Sequence, residues 1–157
     1  MKKTNAARFL DTKKVNYELV EYLVDEADLS AVHVAETIDQ NVEQVFKTLV
    51  LRGNANGIFV AIVPGNAEVN LKKAAKVSGN KNAVMVQMKE LLPLTGYIRG
   101  ACSPLGMKKS YPMFIHESCL NFETIFVSAG KRGLQIKIDP QDLIACANIR
   151  VCDLVNV

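Results

Sequence analysis

Lys47 is the residue whose type fits its surroundings least. It lies within residues 45–50 (VFKTLV), a segment otherwise typical of a buried strand. In an extended strand Lys47 would share a face with Val45 and Leu49. A lysine on such a face extends its ammonium group to the surface, pairs with an acid, or lines a pocket. The pattern alone leaves the surface lysine and the pocket lysine as equal alternatives.

The sequence lacks the residue combinations of the common hydrolases and metalloenzymes. It contains no G-x-S-x-G motif, and its two histidines, His33 and His116, form no H-E-x-x-H motif. We expect structural roles for both histidines and predict no metal and no cofactor. The cysteines show no C-x-x-C spacing, so we expect reduced, mostly buried thiols. They are Cys102, Cys119, Cys146 and Cys152.

Five glycines fall in or beside polar loops that also carry basic residues. Glycine lets the backbone approach a ligand closely, and adjacent N–H groups can hold a phosphate or an oxyanion. No phosphate-binding consensus accompanies these glycines, so plain turns are the alternative. The glycines are Gly96, Gly100, Gly106, Gly130 and Gly133, and the basic residues are Lys108, Lys109, Lys131 and Arg132.

Length and composition indicate one globular domain. The 157 residues are 49% apolar and 22% charged, and the formal net charge is +3. This charge suits brief contact with a phosphate-bearing partner, although ordinary surface lysines explain it equally well. The N-terminal residues do not form a signal peptide, and no apolar run is long enough to span a membrane. We therefore expect a cytoplasmic protein.

The elements that must position these residues alternate irregularly along the chain. Residues 45–64 predict a β-hairpin with a Gly/Asn-rich turn. Helices are predicted over the first dozen residues, over 30–38 with Ser30 as N-cap, from Asn70 to Gly79, and from Pro140. Further strands are predicted at 17–24, 83–86, 113–116, 124–128, 134–138 and 149–155. This order predicts an α/β (mixed α+β) fold with a strongly curved mixed sheet surrounded by helices.

Four ordered blocks of this sequence closely resemble the YbaK/EbsC family of prolyl-tRNA editing domains. The blocks are VFKTLVL, NLKKAAK, TGYIRGACSPLGMKK and FETIFVSAGKRGLQI, and the match runs from residue 15 to the C-terminus. The resemblance implies a single editing domain over residues 1–157 with a barrel-like mixed β-sheet. It also implies an aminoacyl-tRNA deacylase that acts on the 3′ CCA end, with prolyl-tRNA synthetase as a possible partner.

The resemblance further implies which residues form the site. Lys47 matches the family's essential lysine, and Gly100 matches the glycine of its G-x-x-x-P loop. The N–H groups of Gly100 and Ala101 would stabilise developing negative charge, and Ser128 would hold the aminoacyl group. The remaining substrate-binding candidates are Tyr22, Thr48, Gly130, Lys131 and Arg132, of which the last two would meet tRNA phosphates. Lys72, Lys73 and Lys76 are further phosphate candidates, with a solvated helix face as the alternative.

The mechanism that the resemblance implies needs no protein nucleophile. The substrate is cysteine attached to tRNA for proline, and its own thiol attacks the neighbouring ester. Two alternatives stay open: a deacylase for another small amino acid such as alanine, and a non-catalytic module that binds aminoacyl-tRNA or a synthetase. A nucleophilic role of Cys102 is a further alternative to a small buried side chain.

Three departures from the family pattern concern the pocket. Ala101 and Cys102 replace glycine and isoleucine, and Ala129 replaces a glycine. The segment before Ser30 lacks the aromatic residue that relatives often carry there. These changes bear on pocket size and therefore on which amino acid is preferred.

Overall fold

The computed structural model describes residues 3–156, within which the chain forms five α-helices and eight strands. In chain order the elements are α1 (Asn5–Thr12), β1 (Tyr17–Glu21), α2 (Ala31–Thr37), β2 (Phe46–Gly53), β3 (Gly57–Pro64), α3 (Leu71–Val77), β4 (Ala83–Met85), α4 (Met88–Thr95), β5 (Met113–His116), β6 (Ile125–Lys131), β7 (Leu134–Ile138), α5 (Pro140–Ala147) and β8 (Arg150–Cys152). Two 3₁₀ helices occupy Val42–Gln44 and Glu117–Asn121.

The strands form two sheets, which confirms the mixed α/β class. A three-stranded antiparallel sheet has the order β1-β7-β6, and a five-stranded mixed sheet has the order β4-β2-β3-β5-β8. In the larger sheet β5 runs parallel to β3 and to β8. The two sheets are joined by a single bridge between Val45 and Phe126. The expected barrel-like sheet is therefore split in two, and the described residues form no closed barrel.

The largest core cluster lies where the two sheets face each other. Phe46 and Ile62 of the larger sheet and Val127 and Ile136 of the smaller one belong to it. All four side chains are buried, with at most 3% exposed. Burial of this apolar surface is the main stabilising contribution to the fold, and it holds the two sheets together where few hydrogen bonds do.

Most predicted helix boundaries are confirmed by their capping contacts. The Oγ of Ser30 accepts a hydrogen bond from the N–H of His33, and the Oδ1 of Asn70 accepts one from Lys73. Pro140 is the first residue of α5, where its missing N–H costs no hydrogen bond. The N-terminal helix was predicted to include residues 1 and 2, which lie outside the described residues.

The helix α4 was not predicted. It contains Pro93, and an internal proline normally ends a helix, so its sequence resembles a loop. A capping box between Gln87 and Glu90 stabilises its first turn, and Gly96, with φ of +83°, ends it. The predicted last strand was also too long, because β8 is limited to Arg150–Cys152.

The described residues contain no helix long and apolar enough to cross a membrane. All four cysteines are free thiols, as expected, but only Cys119 is fully buried.

Lys73, one of the phosphate candidates on α3, is engaged within the protein, because its Nζ lies 2.7 Å from a carboxylate oxygen of Asp153.

Candidate functional site

A cavity of about 530 Å³ lies at the junction of the two sheets. One wall is β2, and the opposite wall comes from Ser128 on β6 and Gln135 on β7. The segment before α2 and the start of α4 form the sides, and the loop around Gly100 completes the lining. The cavity therefore collects residues from widely separated parts of the chain, including Lys47, Thr48, Gly100 and Ser128 from the predicted site.

Lys47 lines this cavity with a half-buried side chain. Its Nζ donates a long hydrogen bond of 3.4 Å to the carbonyl of Gly65, and no carboxylate of residues 3–156 lies within 4.0 Å of it. Burial lowers the pKa of Lys47, while the negative charge of Glu68 acts in the opposite direction. A cation held beside a cavity without a close acidic partner is available to a ligand that carries negative charge.

The geometry of β2 explains why consecutive residues reach the cavity. One edge of β2 is fully paired with β3, but on the other edge β4 pairs only with residues 51–53. The cavity follows this second edge between the Val45–Phe126 bridge and β4, so residues 46–50 all line it. Lys47 and Thr48 thus face the same cavity, although strand alternation directs their side chains to opposite faces.

Two buried polar side chains of the cavity have no internal hydrogen-bond partner. The Oγ1 of Thr48 and the Oε1 of Gln135 find none among residues 3–156. Gln135 is only 5% exposed and lies directly opposite Ser128 in the sheet. A buried polar atom without a partner is unfavourable by about 1–3 kcal/mol, so these atoms are suited to meet a polar ligand.

Gln135 was missed by the sequence analysis. The only signal for it is a glutamine between Leu134 and Ile136 in an otherwise apolar strand. A single polar residue in a strand normally faces solvent, whereas this one lies on a face of β7 that distant parts of the chain cover around the cavity.

The loop around Gly100 is held in place by Ser128. The Oγ of Ser128 donates a hydrogen bond of 3.0 Å to the carbonyl of Ala101 and accepts one of 3.1 Å from the N–H of Gly130. The N–H of Ala101 is used within the loop, where it donates to the carbonyl of Ile98 at 3.0 Å. The N–H of Gly100 donates to no residue between 3 and 156, so Gly100 and not Ala101 is the candidate for contact with negative charge.

Gly130 and Lys131 are the last residues of β6, Arg132 lies in the turn from β6 to β7, and none of the three lines the cavity. Gly130, with φ of +92°, makes room for the ring of Tyr97, because a Cβ there would lie 2.7 Å from a ring carbon. Lys131 is exposed and forms no ion pair within the described part of the chain. Arg132 donates hydrogen bonds to the carbonyl of Arg99 and to Glu26, both at 2.8 Å.

Tyr22 lies next to the cavity and not in its lining. Its half-buried ring packs against a small apolar cluster that contains Val34, Val45 and Phe126. Its backbone N–H donates a hydrogen bond of 2.9 Å to the carbonyl of Gly133. In this arrangement Tyr22 supports the wall formed by α2 and the start of β2.

Cys102 lines the cavity, but its thiol is poorly suited to act as a nucleophile. Burial raises the pKa of Cys102 to about 12. At neutral pH the side chain is therefore a neutral thiol, and the thiolate is the reactive form. Neither histidine lines the cavity, and the Nδ1 of His116 instead accepts a hydrogen bond from the N–H of Leu154.

We expect Cys102→Ala to match the native protein in the aminoacyl-tRNA deacylation that the family resemblance implies. The small side chain of alanine fits the space of the thiol, and no charged group is lost. Single-turnover deacylation of the two proteins measures the effect. A loss of about 100-fold or more, with an unchanged melting temperature, would show that the Cys102 thiol takes part in the chemistry.

The described residues contain no group of three or more His, Cys, Asp or Glu side chains that could hold a metal ion. The polar groups around the cavity include the ammonium group of Lys47, the guanidinium group of Arg99, the carboxylate of Asp28, hydroxyls, amides and backbone groups. Such a set can bind and polarise an ester, and it can stabilise negative charge that develops on a carbonyl oxygen.

The fold is shared with a solved structure. A solved structure described as a proposed trans-editing enzyme for prolyl-tRNA synthetase superposes with a TM-score of 0.85 at 24% identity, and the match covers 100% of each chain. The sequence profile of the aminoacyl-tRNA editing domain then matches residues 25–146. The chain belongs to this family of aminoacyl-tRNA editing domains.

Two curated proteins place the chain within that family. EbsC of Enterococcus faecalis, a proposed Cys-tRNA(Pro)/Cys-tRNA(Cys) deacylase, is 47% identical over 98% of this chain and 94% of its own length. A proline–tRNA ligase of Thermosipho africanus is 32% identical over 48% of this chain, which corresponds to 13% of the ligase. These similarities confirm the resemblance to the YbaK/EbsC family.

Proposed function

We propose that this protein is an aminoacyl-tRNA deacylase that removes cysteine from mischarged Cys-tRNA(Pro). The observation that carries the proposal is Lys47, whose half-buried side chain lines the cavity and whose ammonium group has no carboxylate of the described residues within 4.0 Å. The 47% identity of the chain to a relative named as a Cys-tRNA deacylase supports the choice of substrate. Cysteine and proline are similar in size, so binding in a synthetase pocket separates them poorly and a second enzyme is useful.

In this proposal Lys47 positions and polarises the ester. Its ammonium group hydrogen-bonds to the ester region of the terminal adenosine or to the carbonyl oxygen. The N–H of Gly100 stabilises the negative charge that develops on that oxygen. Removal of one such donor from an enzyme typically costs a factor of about 100 to 1,000 in rate.

The nucleophile is the thiol of the substrate. Its pKa is about 8.5 in free cysteine, and the nearby charge of Lys47 favours the thiolate. The sulfur attacks the ester carbon, a C–S bond forms, and the bond from that carbon to the ribose oxygen breaks. The ribose oxygen takes up a proton, which leaves free tRNA and a four-membered thiolactone that water opens to cysteine. Lys47 and Gly100 need only hold the reacting atoms together.

Thr48 and Gln135 supply polar contacts to the aminoacyl group. The Oε1 of Gln135 accepts a hydrogen bond from the α-ammonium group, and the hydroxyl of Thr48 bonds to the ester or ribose. Both atoms lack internal partners among the described residues, so binding satisfies groups that are otherwise unfavourably buried. Lys131, exposed beside this region, contacts a phosphate of the 3′ CCA end.

The partner that fits this activity is tRNA for proline, presented alone or by prolyl-tRNA synthetase. The similarity of half of this chain to part of a proline–tRNA ligase supports a link to that enzyme. Because the substrate is charged tRNA in transit to the ribosome, we propose that the protein acts in the cytoplasm.

A deacylation panel tests the proposal. Transfer RNA for proline is charged with cysteine, alanine, proline or S-methylcysteine, tRNA for cysteine is charged with cysteine, and loss of the ester is timed with and without the protein. We expect rapid loss of cysteine and no acceleration with S-methylcysteine, because methylation removes the nucleophile. The rate with cysteine should rise from pH 6.5 to about 8.5, as the thiol ionises.

The panel also separates the alternatives. Release of alanine with survival of cysteine would replace the proposed substrate by alanine. Equal acceleration with cysteine and S-methylcysteine would replace the substrate thiol by water as the nucleophile. Binding of every charged tRNA without acceleration would identify a non-catalytic module.

A further inference from the structure

We infer that Arg132 is a positioning residue that fixes the backbone of Gly100 for the reaction and not a contact for tRNA phosphate. The inference rests on the proposed function, because it concerns the backbone donor of that site. It departs from the sequence-based expectation that Arg132 and Lys131 share one role as phosphate contacts.

The carbonyl groups on both sides of Gly100 are held by side chains from the same hairpin. Arg132 donates from Nε to the carbonyl of Arg99 at 2.8 Å, and Ser128 donates from Oγ to the carbonyl of Ala101 at 3.0 Å. Gly100 itself has a φ of +82°. The N–H of Ala101 closes a turn over Arg99 and Gly100, and the hydrogen bond from Arg132 to the carbonyl of Arg99 fixes the central peptide of that turn, which carries the N–H of Gly100.

The same guanidinium group also binds the opposite side of the cavity mouth. Its Nη1 lies 2.8 Å from an Oε of Glu26, which precedes the cavity-lining residues 27–31. The side chain of Arg132 is 27% exposed, whereas that of Glu26 is 72% exposed. Arg132 thus connects three segments, namely the turn after β6, the Gly100 loop and the segment before α2.

Arginine is suited to this task because its planar group donates in several fixed directions at once. Lysine carries a compact charge without that fork and cannot reproduce both hydrogen bonds in the same plane. The side chains around Gly100 leave little room for a larger residue. A Cβ on Gly100 would lie 3.4 Å from the Nε of Arg132 and 3.3 Å from Leu29.

Lys131 and Arg132 differ in what a phosphate would have to displace. Lys131 is exposed and forms no ion pair with any residue from 3 to 156, so a phosphate can approach it directly. At Arg132 a phosphate would compete with the carboxylate of Glu26 and would pull the guanidinium group away from the Arg99 carbonyl. The two neighbouring cations therefore have different roles: Lys131 attracts phosphate, and Arg132 fixes the backbone of the Gly100 loop.

The test compares Arg132→Gln, Arg132→Lys, Lys131→Gln and the control Lys137→Gln. Lys137 is a suitable control because its ion pair with Glu18 is long, 3.9 Å, and lies outside the cavity. Single-turnover deacylation of Cys-tRNA(Pro) is measured at several salt concentrations. We expect Arg132→Gln and Arg132→Lys to lower the maximal rate by about tenfold or more with little change in apparent affinity or in salt dependence.

The neighbouring lysine should behave in the opposite way. Lys131→Gln should weaken binding and reduce the slope of log affinity against log salt by about 1, with the maximal rate kept. Lys137→Gln should match the native protein. Native activity of Arg132→Lys, together with a reduced slope of log affinity against log salt in Arg132→Gln, would overturn the inference. Arg132 would then be a contact for tRNA phosphate.

Amide hydrogen exchange in the free protein separates this inference from the proposed function. Arg132→Gln should accelerate exchange at residues 98–102 and leave β2 as protected as in the native protein. Unchanged exchange at residues 98–102 would overturn the positioning role even if the protein is a deacylase. If the native protein releases no amino acid, the proposed function fails while the exchange result still decides what Arg132 holds.

Discussion

Lys47→Ala is expected to slow single-turnover release of cysteine from Cys-tRNA(Pro) by about 100- to 1,000-fold. The substitution removes the only cationic side chain of the β2 wall and leaves the ester without its polarising group. Lys81→Ala is the matched control, because Lys81 is an exposed lysine that does not line the cavity. Release at the native rate by Lys47→Ala would contradict an enzymatic role of this lysine.

A stability measurement shows whether any loss of activity comes from unfolding. Burial lowers the pKa of Lys47, so the folded state disfavours the charged ammonium group. This unfavourable contribution is present at neutral pH and disappears above the ordinary lysine pKa of 10.5. Lys47→Met keeps the apolar stem and removes the charge, so its melting temperature at pH 7 should equal or exceed that of the native protein. A clear decrease would identify Lys47 as a structural residue.

Gly100→Ala is expected to lower the deacylation rate by about 100-fold while the fold remains intact. At a φ of +82° an added Cβ strains the backbone, and it would also press against Leu29 and Arg132. The N–H of residue 100 is then displaced from the oxygen that it must stabilise. The measurement is single-turnover deacylation, accompanied by the free energy of unfolding in urea.

Gly57→Ala provides a control with the same backbone strain. Gly57 has a φ of +74°, but a Cβ there meets no heavy atom within 4 Å, and Gly57 does not line the cavity. Both variants should lose about 1–2 kcal/mol of stability from the left-handed conformation, and only Gly100→Ala should lose activity. Equal rates in the two variants would remove Gly100 from the catalytic machinery.

The place of Lys47 in the cavity lining was predictable in part, because its residue type conflicts with its local pattern. Lys47 is a charged residue in an apolar strand, and the family resemblance gave it a role. The hairpin that carries it was predicted from β-branched and aromatic residues on both sides of a Gly/Asn turn, and β2 and β3 confirm it. Local sequence is sufficient for such features, because pairing in a hairpin involves neighbours along the chain.

Features that depend on distant parts of the chain were not predictable in this way. Arg132 and its carboxylate partner Glu26 are 106 residues apart, so no local pattern connects them. Gln135 is buried because the face of β7 that carries it is covered by the other elements around the cavity. The division into two sheets likewise follows from which strands meet in space. Helix α4 was missed because its internal proline is typical of a loop. The capping box that starts the helix depends on side-chain contacts that the sequence does not show.

The order of the strands determines when the cavity can form during synthesis of the chain. Strand β1, at residues 17–21, finds its partner in β7, at residues 134–138, and β7 also carries Gln135 of the cavity wall. A nascent chain on the ribosome therefore holds β1 without a partner until β7 has been made. Strands β2 to β5, including Lys47, emerge earlier, but the cavity cannot close around this lysine before β6 and β7 emerge. Truncated chains that end before β6 would display the lysine and lack the site.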